Sequence, residues 1–577
     1  MKKYGKLILA GILAALLLNL SACKNEMQKG FEYPTGLKFD KKRYNKVPKK
    51  AQLVTRSYDK LPSSVVLTDF TPPVADQGVY GTCVAWASAY AGMTTAEASL
   101  SSKKEKSSLS AQAFSPYYLY RSCNPDQIKK ATGMFCEDAL DWLKDNGVPR
   151  RSINEMRSDY ASFSMEYYKT SDLFTIESYS RIQDADDYMQ NETSEEVMWK
   201  IIKGIKKSIS EKKPVLGSFL VTKEFQQLRG LSDYIPKDID YDFEHYTDGN
   251  GFGGHAMLIV GYDDNYYKRD EKNYGAFLLQ NSWGTAWGDG GYIWVNYEIA
   301  CCYMLGAYEI SNKISKVPSD DDEVVIVDED EESKDFYDYY DYYDPENDVF
   351  DWFWSFFNDN WWSKKTDDDE NVPDYNHDKK EPKPIPVIPE PEKYYCIFEG
   401  EFTLPFYNEE GEIKVRLNDK FYETIQGYDS FTRFQLYMTN KRPCYVYAFA
   451  SDDLLEKPNK LFPPDDVNAL LDYHENTVVY PSEDTCMKLD SHEGTDYFVV
   501  LYSLKELNLE DIMTAYYLEM KKNPFDVYGA VVNACGKEKI VPAMNQAFDK
   551  NSIRFAAQVS TISKASIMPI VIKIKHE

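Results

Sequence analysis

The apolar positions of this chain change rhythm along its length. Lys2, Lys3 and Lys6 precede an apolar run from Leu7 to Leu18, which is too short to span a bilayer as a helix. Polar, basic sequence with little periodicity follows to residue 60. From 61 to 312 helical and strand-like patterns alternate. Residues 109–120 and 136–146 carry apolar side chains at helical spacing, and Asn146-Gly147 stops the second. Ser194 to Ser210 places Val197, Ile201, Ile205 and Ile209 at four-residue steps, Lys213-Pro214 ends the helix, and Val215 to Phe219 resumes as a strand. His255 to Tyr262 reads as a buried strand with His255 at its start. Ala276 to Gln280 and Tyr292 to Tyr297 read as two more, with a Gly-rich turn at Gly288 to Gly291. Periodicity is lost over 313–393. It returns as β alternation in 394–577, most clearly at Tyr445 to Phe449, Tyr497 to Tyr502 and Ile567 to Ile574. The pattern predicts an α+β protein: a mixed domain at 61–312, a linker at 313–393 and a mostly β accessory domain at 394–577.

The 577 residues suffice for two or three domains. The formal net charge is -27, and most of it is local: 26 Asp or Glu against 6 Lys between Pro318 and Glu392. Such a balance excludes a nucleic-acid backbone as partner, because that needs a basic footprint. The first half of the linker is nearly all acid and tyrosine. Its last part, Pro382 to Pro391, holds five prolines and should be extended and stiff. Between them lie Trp352, Phe353, Trp354, Phe356, Phe357, Trp361 and Trp362, too many aromatics for an ordinary spacer. Two readings stand: an element that docks on protein, glycan or membrane surface, or low-complexity drift.

The basic start and short apolar core describe an export signal over residues 1–22. Leu20-Ser21-Ala22-Cys23 resembles the lipobox of bacterial lipoproteins. That resemblance implies acylation of Cys23, a membrane partner through the lipid, and a tether over 23–60. Several acyl chains anchor stably where one does not. Lys24-Asn25-Glu26 lacks the aspartate that retains some lipoproteins in the inner membrane, so the cell envelope, and the outer membrane before the inner, is the expected location. After the leader no run of 18 apolar residues occurs.

Ten cysteines are spread along the chain. Export permits disulfides. Cys123 and Cys136 flank a short loop and could pair, or the cysteines beyond Cys23 and Cys83 are buried thiols or bonded otherwise. CxxC spacing is missing, so neither a structural zinc nor any other metal or cofactor is expected. His474 and His492 stand alone in the accessory domain, which shows no phosphate loop or paired carboxylates.

Three separated segments carry the chemistry. Gln77-Gly78-Val79-Tyr80-Gly81-Thr82-Cys83 ends on a cysteine followed by Val84-Ala85-Trp86-Ala87-Ser88-Ala89, which propagates a helix behind a turn and a cap-type residue, Thr82. A helix N-terminus and a nearby imidazolium both favour the thiolate. Gly253-Gly254-His255-Ala256 supplies a candidate base, and Gln280-Asn281-Ser282-Trp283-Gly284 a side chain to accept its ring N–H. Gln77, with the Cys83 backbone N–H, would face the oxygen of a tetrahedral intermediate.

In these residues the stretch 61–312 resembles the papain family of cysteine peptidases, whose cysteine context and His/Asn spacing are a known signature. The resemblance implies two lobes, one helical and one β-barrel-like, closing on a cleft. It implies Cys83 as nucleophile, His255 as base, Asn281 as its orienting residue, Gln77 as oxyanion donor and Trp283 as a shield over the His255–Asn281 contact. A polypeptide substrate follows, with an endopeptidase the first expectation. A catalytically silent surface-binding lipoprotein and an amine-transferring acyltransferase are the alternatives. Tyr80 stands where many relatives carry a disulfide-bonded cysteine. The lead between Cys23 and the domain is short for the family's inhibitory pro-region: either there is no zymogen step, or residues 24–60 cover the cleft by a reduced mechanism. A segment around 430–505, with Tyr445-Val446-Tyr447, Leu461-Phe462-Pro463, Tyr480-Pro481 and Gly494-Thr495-Asp496, is similar to a β domain of unknown function attached to bacterial enzymes, which implies a binding or placement module.

Overall fold

The computed structural model describes residues 33–58, 60–101, 105–164, 170–188, 195–234, 252–266, 275–317, 394–472, 476–560 and 563–577. The leader with Cys23, the linker beyond Val317 and His474 lie outside them. The described residues fall into two compact units, 33–50 with 58–317 and 51–57 with 394–577.

The first unit is built on a mixed sheet. The unit's strands include β1 (Leu37–Lys38), β2 (Ser64–Val66), β3 (Met134–Phe135), β4 (Tyr179–Arg181), β5 (Val215–Thr222), β6 (Asp233–Tyr234), β7 (Phe252–Asp263), β8 (Ala276–Gln280), β9 (Tyr292–Asn296) and β10 (Met304–Ile310), of which β1 and β3 pair apart from the large sheet. The large sheet runs β4-β10-β5-β7-β8-β9-β6, with β2 pairing β7. In β5, β8 and β10 nearly every residue is buried on both faces, which is why they read as continuous apolar runs. The register sets His255 opposite Phe219 and Gln280 opposite Leu258 and Tyr292.

Against this sheet lies a long helical segment that begins at Cys83: α1 (Cys83–Ala85), wider π turns over Trp86–Met93, then α2 (Thr94–Ser101). Every residue of the π stretch is buried. Such turns recur near functional sites. Ala87, Ala89, Ala91 and Gly92 keep the backbone close to its neighbours. Thr82 does not cap this helix with its side chain, contrary to the sequence expectation.

The helix expected over 109–120 is two. A short turn, Lys106–Ala111, stops, and α3 (Pro116–Cys123) begins afresh, with Ser115 Oγ accepting the Tyr118 N–H at 3.0 Å. Pro116 has no N–H to give to a continuing helix and suits a first turn instead. The other two are as expected: α4 (Cys136–Asp145) and α5 (Glu195–Ser210). The Cys123–Cys136 bridge is not formed. Both are free thiols, Cys123 Sγ donating to Asp138 O at 3.4 Å and Cys136 Sγ lying 3.4 Å from Ser218 Oγ. Once Cys136 is the first residue of α4 its side chain packs towards β5.

The polar lead is part of this unit. Asp40 caps a helical turn, Lys41–Tyr44, and Tyr44 is driven into the core, its hydroxyl donating to Ala307 O at 3.0 Å and accepting the Ala307 N–H at 3.2 Å. The lead's cations meet the domain's acids: Lys41 with Asp186, Arg43 with Asp138, Lys49 with Asp184, Lys50 with Glu309. An exposed pair such as Lys41–Asp186 gives about 0.2–1 kcal/mol, whereas Lys50–Glu309 is largely buried.

The second unit is mostly β. One sheet joins Asn476–Tyr480, Leu436–Asn440, Tyr394–Thr403, Ile553–Ser560 and Gln546–Phe548. Another is centred on Cys444–Asp452, Gly494–Ser503 and Ile567–His576. Helices α6 (Leu509–Lys522) and α7 (Val527–Cys535) pack on it through Tyr516, Met520 and Val531. Residues 51–57 belong here: Leu53 bridges Val478, and Val54 N–H donates to Thr477 O at 3.0 Å.

Replacing Tyr44 by Ala is expected to cost about 3–5 kcal/mol, the usual penalty for truncating a buried aromatic. Chemical denaturation followed by Trp fluorescence reads it. A loss under 1 kcal/mol would mean that the lead contributes little to the fold.

Candidate active site

Two loops are stitched together where the α1 N-terminus meets the end of β8. Gln77 N–H donates to Ser282 O at 2.8 Å, Gly284 N–H to Ala75 O at 3.1 Å, and Ser282 Oγ to Gln77 Oε1 at 2.6 Å. The Gln77 carboxamide oxygen is thereby committed, and its Nε2 is left to face the cleft, where it donates to Tyr80 O at 2.8 Å. Asn281 follows β8 directly. His255 Nε2 donates to Asn281 Oδ1 at 2.7 Å, and the Ser282 N–H donates to the same oxygen at 2.7 Å. The doubly engaged oxygen fixes the tautomer: Nε2 holds the proton and Nδ1 carries the lone pair. Trp283 stacks on the imidazole with centroids 4.2 Å apart. The backbone N–H of Ala256, next to His255, reaches the Cys83 thiol. The structure thus brings together the five residues singled out in the sequence: Gln77, Cys83, His255, Asn281 and Trp283.

The cleft is filled by the chain itself. Residues 33–38 pass through it as a strap. Pro34 O accepts from Gln77 Nε2 at 3.2 Å and from Trp283 Nε1 at 3.3 Å. Gly36 N–H donates to Gly254 O at 3.2 Å, Gly36 O accepts the Met134 N–H at 2.9 Å, and β1 then pairs with β3 in parallel. Tyr33 stacks on Trp283 at 4.8 Å, and the Arg229 guanidinium lies 4.8 Å from the Tyr33 ring. The seat needs glycine on both sides. A Cβ on Gly36 would collide with the Gly81 backbone, and one on Gly133, at φ +107°, with Gly36 itself. A cover somewhere in residues 24–60 is one of the two expectations from the sequence, but the strap's position is not legible there, because most of its contacts are backbone carbonyls and amides. Tyr33-Pro34-Thr35-Gly36, an aromatic–Pro–Gly cluster in an otherwise basic lead, is the one available cue.

The strap reverses the expected electrostatics. Cys83 and His255 are fully buried. Burial pushes the thiol up to about 11, although the backbone N–H groups of Ala256, Gly36, Val84 and Cys83 itself pull the other way. Burial pushes the imidazole down to about 4, opposed by its bond to Asn281. A helix N-terminus does favour a thiolate, but in the closed cleft desolvation wins and both groups stay neutral.

The model of the family described as papain family cysteine protease matches residues 62–312. Residues 62–312 form a papain-family cysteine protease domain. A short stretch of the chain is similar to a probable cysteine protease, RDL6, of Arabidopsis thaliana (39% identical over 67 residues, 11% of this chain and 17% of the relative). A short stretch is likewise similar to cysteine endopeptidase Rep1 of Oryza sativa subsp. japonica (40% over 60 residues, 9% and 15%). The chain thus spans less than a fifth of these relatives' length. Among solved structures, xylellain, a cysteine protease from Xylella fastidiosa, aligns at 22% identity and a TM-score of 0.34, covering 49% of this chain and 95% of that one.

The pKa directions set a pH dependence for the papain-family domain. His255 titrates near 4 when strapped and near 6.5 when open to water, so the open state binds more protons between those values. Falling pH across that window therefore favours opening, by up to about tenfold per pH unit. Hydrogen exchange of the Gly36 and Met134 amides, corrected for its intrinsic pH dependence, should rise as pH falls from 6.5 to 4. A flat corrected rate contradicts this.

Proposed function

We propose that the protein is an envelope-anchored cysteine peptidase, made latent by its own residues 33–38. The observation that carries the reading is the buried chain of contacts Trp283–His255–Asn281 beside Cys83, with the Gln77 amide turned to the same cleft. Once the strap leaves, Cys83 and His255 regain water and can form a thiolate–imidazolium pair. Cys83 Sγ then attacks the peptide carbonyl, and the oxygen charge is taken by Gln77 Nε2 and the Cys83 N–H. His255 protonates the leaving amine, the C–N bond breaks, and a thioester remains on Cys83. His255 next takes a proton from water, which attacks the thioester and frees the acid and the thiol. Endopeptidase action is the favoured form, on a polypeptide substrate.

The supports for the anchor are the lipobox at Leu20 to Cys23 and the basic leader before it. An acylated Cys23 would tether the domain in a bacterial envelope, at the outer membrane before the inner. Incorporation of labelled palmitate that disappears in Cys23→Ala tests it, and unchanged incorporation rules it out. The β unit and linker are proposed as placement modules that contact protein or glycan.

An epoxide-type cysteine-peptidase probe, with the adduct located by mass, tests the central reading. Wild-type protein should label slowly at Cys83. Gly36→Val should speed labelling about 5- to 160-fold, because overpacking the strap's seat costs about 1–3 kcal/mol. His255→Ala should abolish it. Equal rates in wild type and Gly36→Val would remove the strap from the account, and absence of Cys83 labelling in both would remove the peptidase.

A further inference from the structure

We infer that Trp86 and Gln280 hold one buried water against the Asn281 amide, and that this water keeps Asn281 aimed at His255. The inference rests on the proposed reaction centre and adds two positioning residues to it. A cavity of ≈ 10 Å³ lies behind Asn281, lined by Trp86, Tyr90, Ala256, Gln280, Asn281 and Ser282 among others. About 10–15 Å³ of such space accommodates one water.

The polar atoms around it are complementary. Asn281 Oδ1 is taken by His255 and by the Ser282 N–H, so Nδ2 is the free end of that amide. Gln280 Nε2 donates to Pro72 O at 3.2 Å, so Oε1 is its free end. Asn281 Nδ2, Gln280 Oε1 and Trp86 Nε1 are all buried and find no hydrogen-bond partner among the described residues. The other polar side chains of the lining are committed: Tyr90 OH to Pro73 O at 2.8 Å, and Ser282 Oγ to Gln77 Oε1. Alanines 75, 87, 91 and 256 supply the rest of the wall. Two donors and one acceptor are what a single water satisfies, by accepting from Trp86 and Asn281 and donating to Gln280. Leaving all three unmade would cost the full desolvation of each group, and buried waters typically make about three such bonds.

The consequence is mechanical. Asn281 sits in a loop just past the end of β8, and its grip on His255 depends on the plane of its amide. With its far end pinned through the water to a helix residue (Trp86) and a strand residue (Gln280), the near end stays in line with His255 Nε2. Trp86→Phe removes the N–H donor and keeps most of the ring.

A crystal structure of the full chain, at a resolution that shows waters, is the first test. An ordered water within hydrogen-bond distance of Trp86 Nε1, Gln280 Oε1 and Asn281 Nδ2 is expected, and an empty or collapsed cavity overturns the inference. The second test is a double-mutant cycle in full chain carrying Gly36→Val, reading the pH profile of Cys83 alkylation. Trp86→Phe should slow alkylation at neutral pH about two- to tenfold, the worth of one lost hydrogen bond. It should change nothing further in Asn281→Ala. Equal losses in both backgrounds would make Trp86 a packing residue only. Gln280→Leu should repeat the result if Trp86→Phe folds poorly. Should Cys83 alkylate as an ordinary thiol in the Gly36→Val chain itself, the reaction centre fails, while the crystal structure still decides the water.

Discussion

Burial of a thiol and an imidazole in one dry seam is the constraint on which this arrangement depends. Water-free surroundings penalise charge, so Cys83 and His255 stay neutral while the cleft is closed. What closes it is backbone: Pro34 O on Gln77 and Trp283, Gly36 between Gly254 and Met134. The strap therefore occupies hydrogen-bonding groups that line the cleft, and does so through its backbone. Its grip is extended by Tyr44, which fastens the lead to β10 at a distance from the cleft. The same lead that fills the cleft also completes the core.

The candidate site was legible because its chemistry demands residue types. For the proposed chemistry, a cysteine at a helix start, a histidine in a buried strand and an asparagine two residues before a tryptophan cannot be exchanged for similar residues and keep the same roles. Strands such as Ala276–Gln280 and Ile567–His576 were legible because burial imposes continuous or alternating apolar patterns. Three features were not. The break between Ala111 and Pro116 was overridden by apolar spacing that runs on across it. The Cys123–Cys136 pairing rested on loop length, which says nothing of where α4 turns Cys136. The strap depends on carbonyl and amide groups that every residue has.

The chain alternates between its two units before the papain-family domain begins. Residues 33–50 belong to the first, 51–57 add to a sheet of the second, and the chain then returns. The lead is therefore not a free tether where it is described. Its cations are paired with domain acids, its tyrosines are stacked or buried, and its Leu53 extends a β ladder. The short lead of this chain thus covers the cleft with a six-residue strap, the second of the two possibilities its length left open.

The central claim is that Cys83 performs covalent catalysis once the strap is displaced. It is tested most directly by acid-quenching the Gly36→Val chain during turnover of a slow peptide ester and measuring intact mass and the modified peptide. The account predicts a thioester on Cys83 carrying the acyl half of the substrate, which decays as product appears and never forms in His255→Ala. Product formed without any Cys83 adduct, or undiminished in Cys83→Ala, would contradict it.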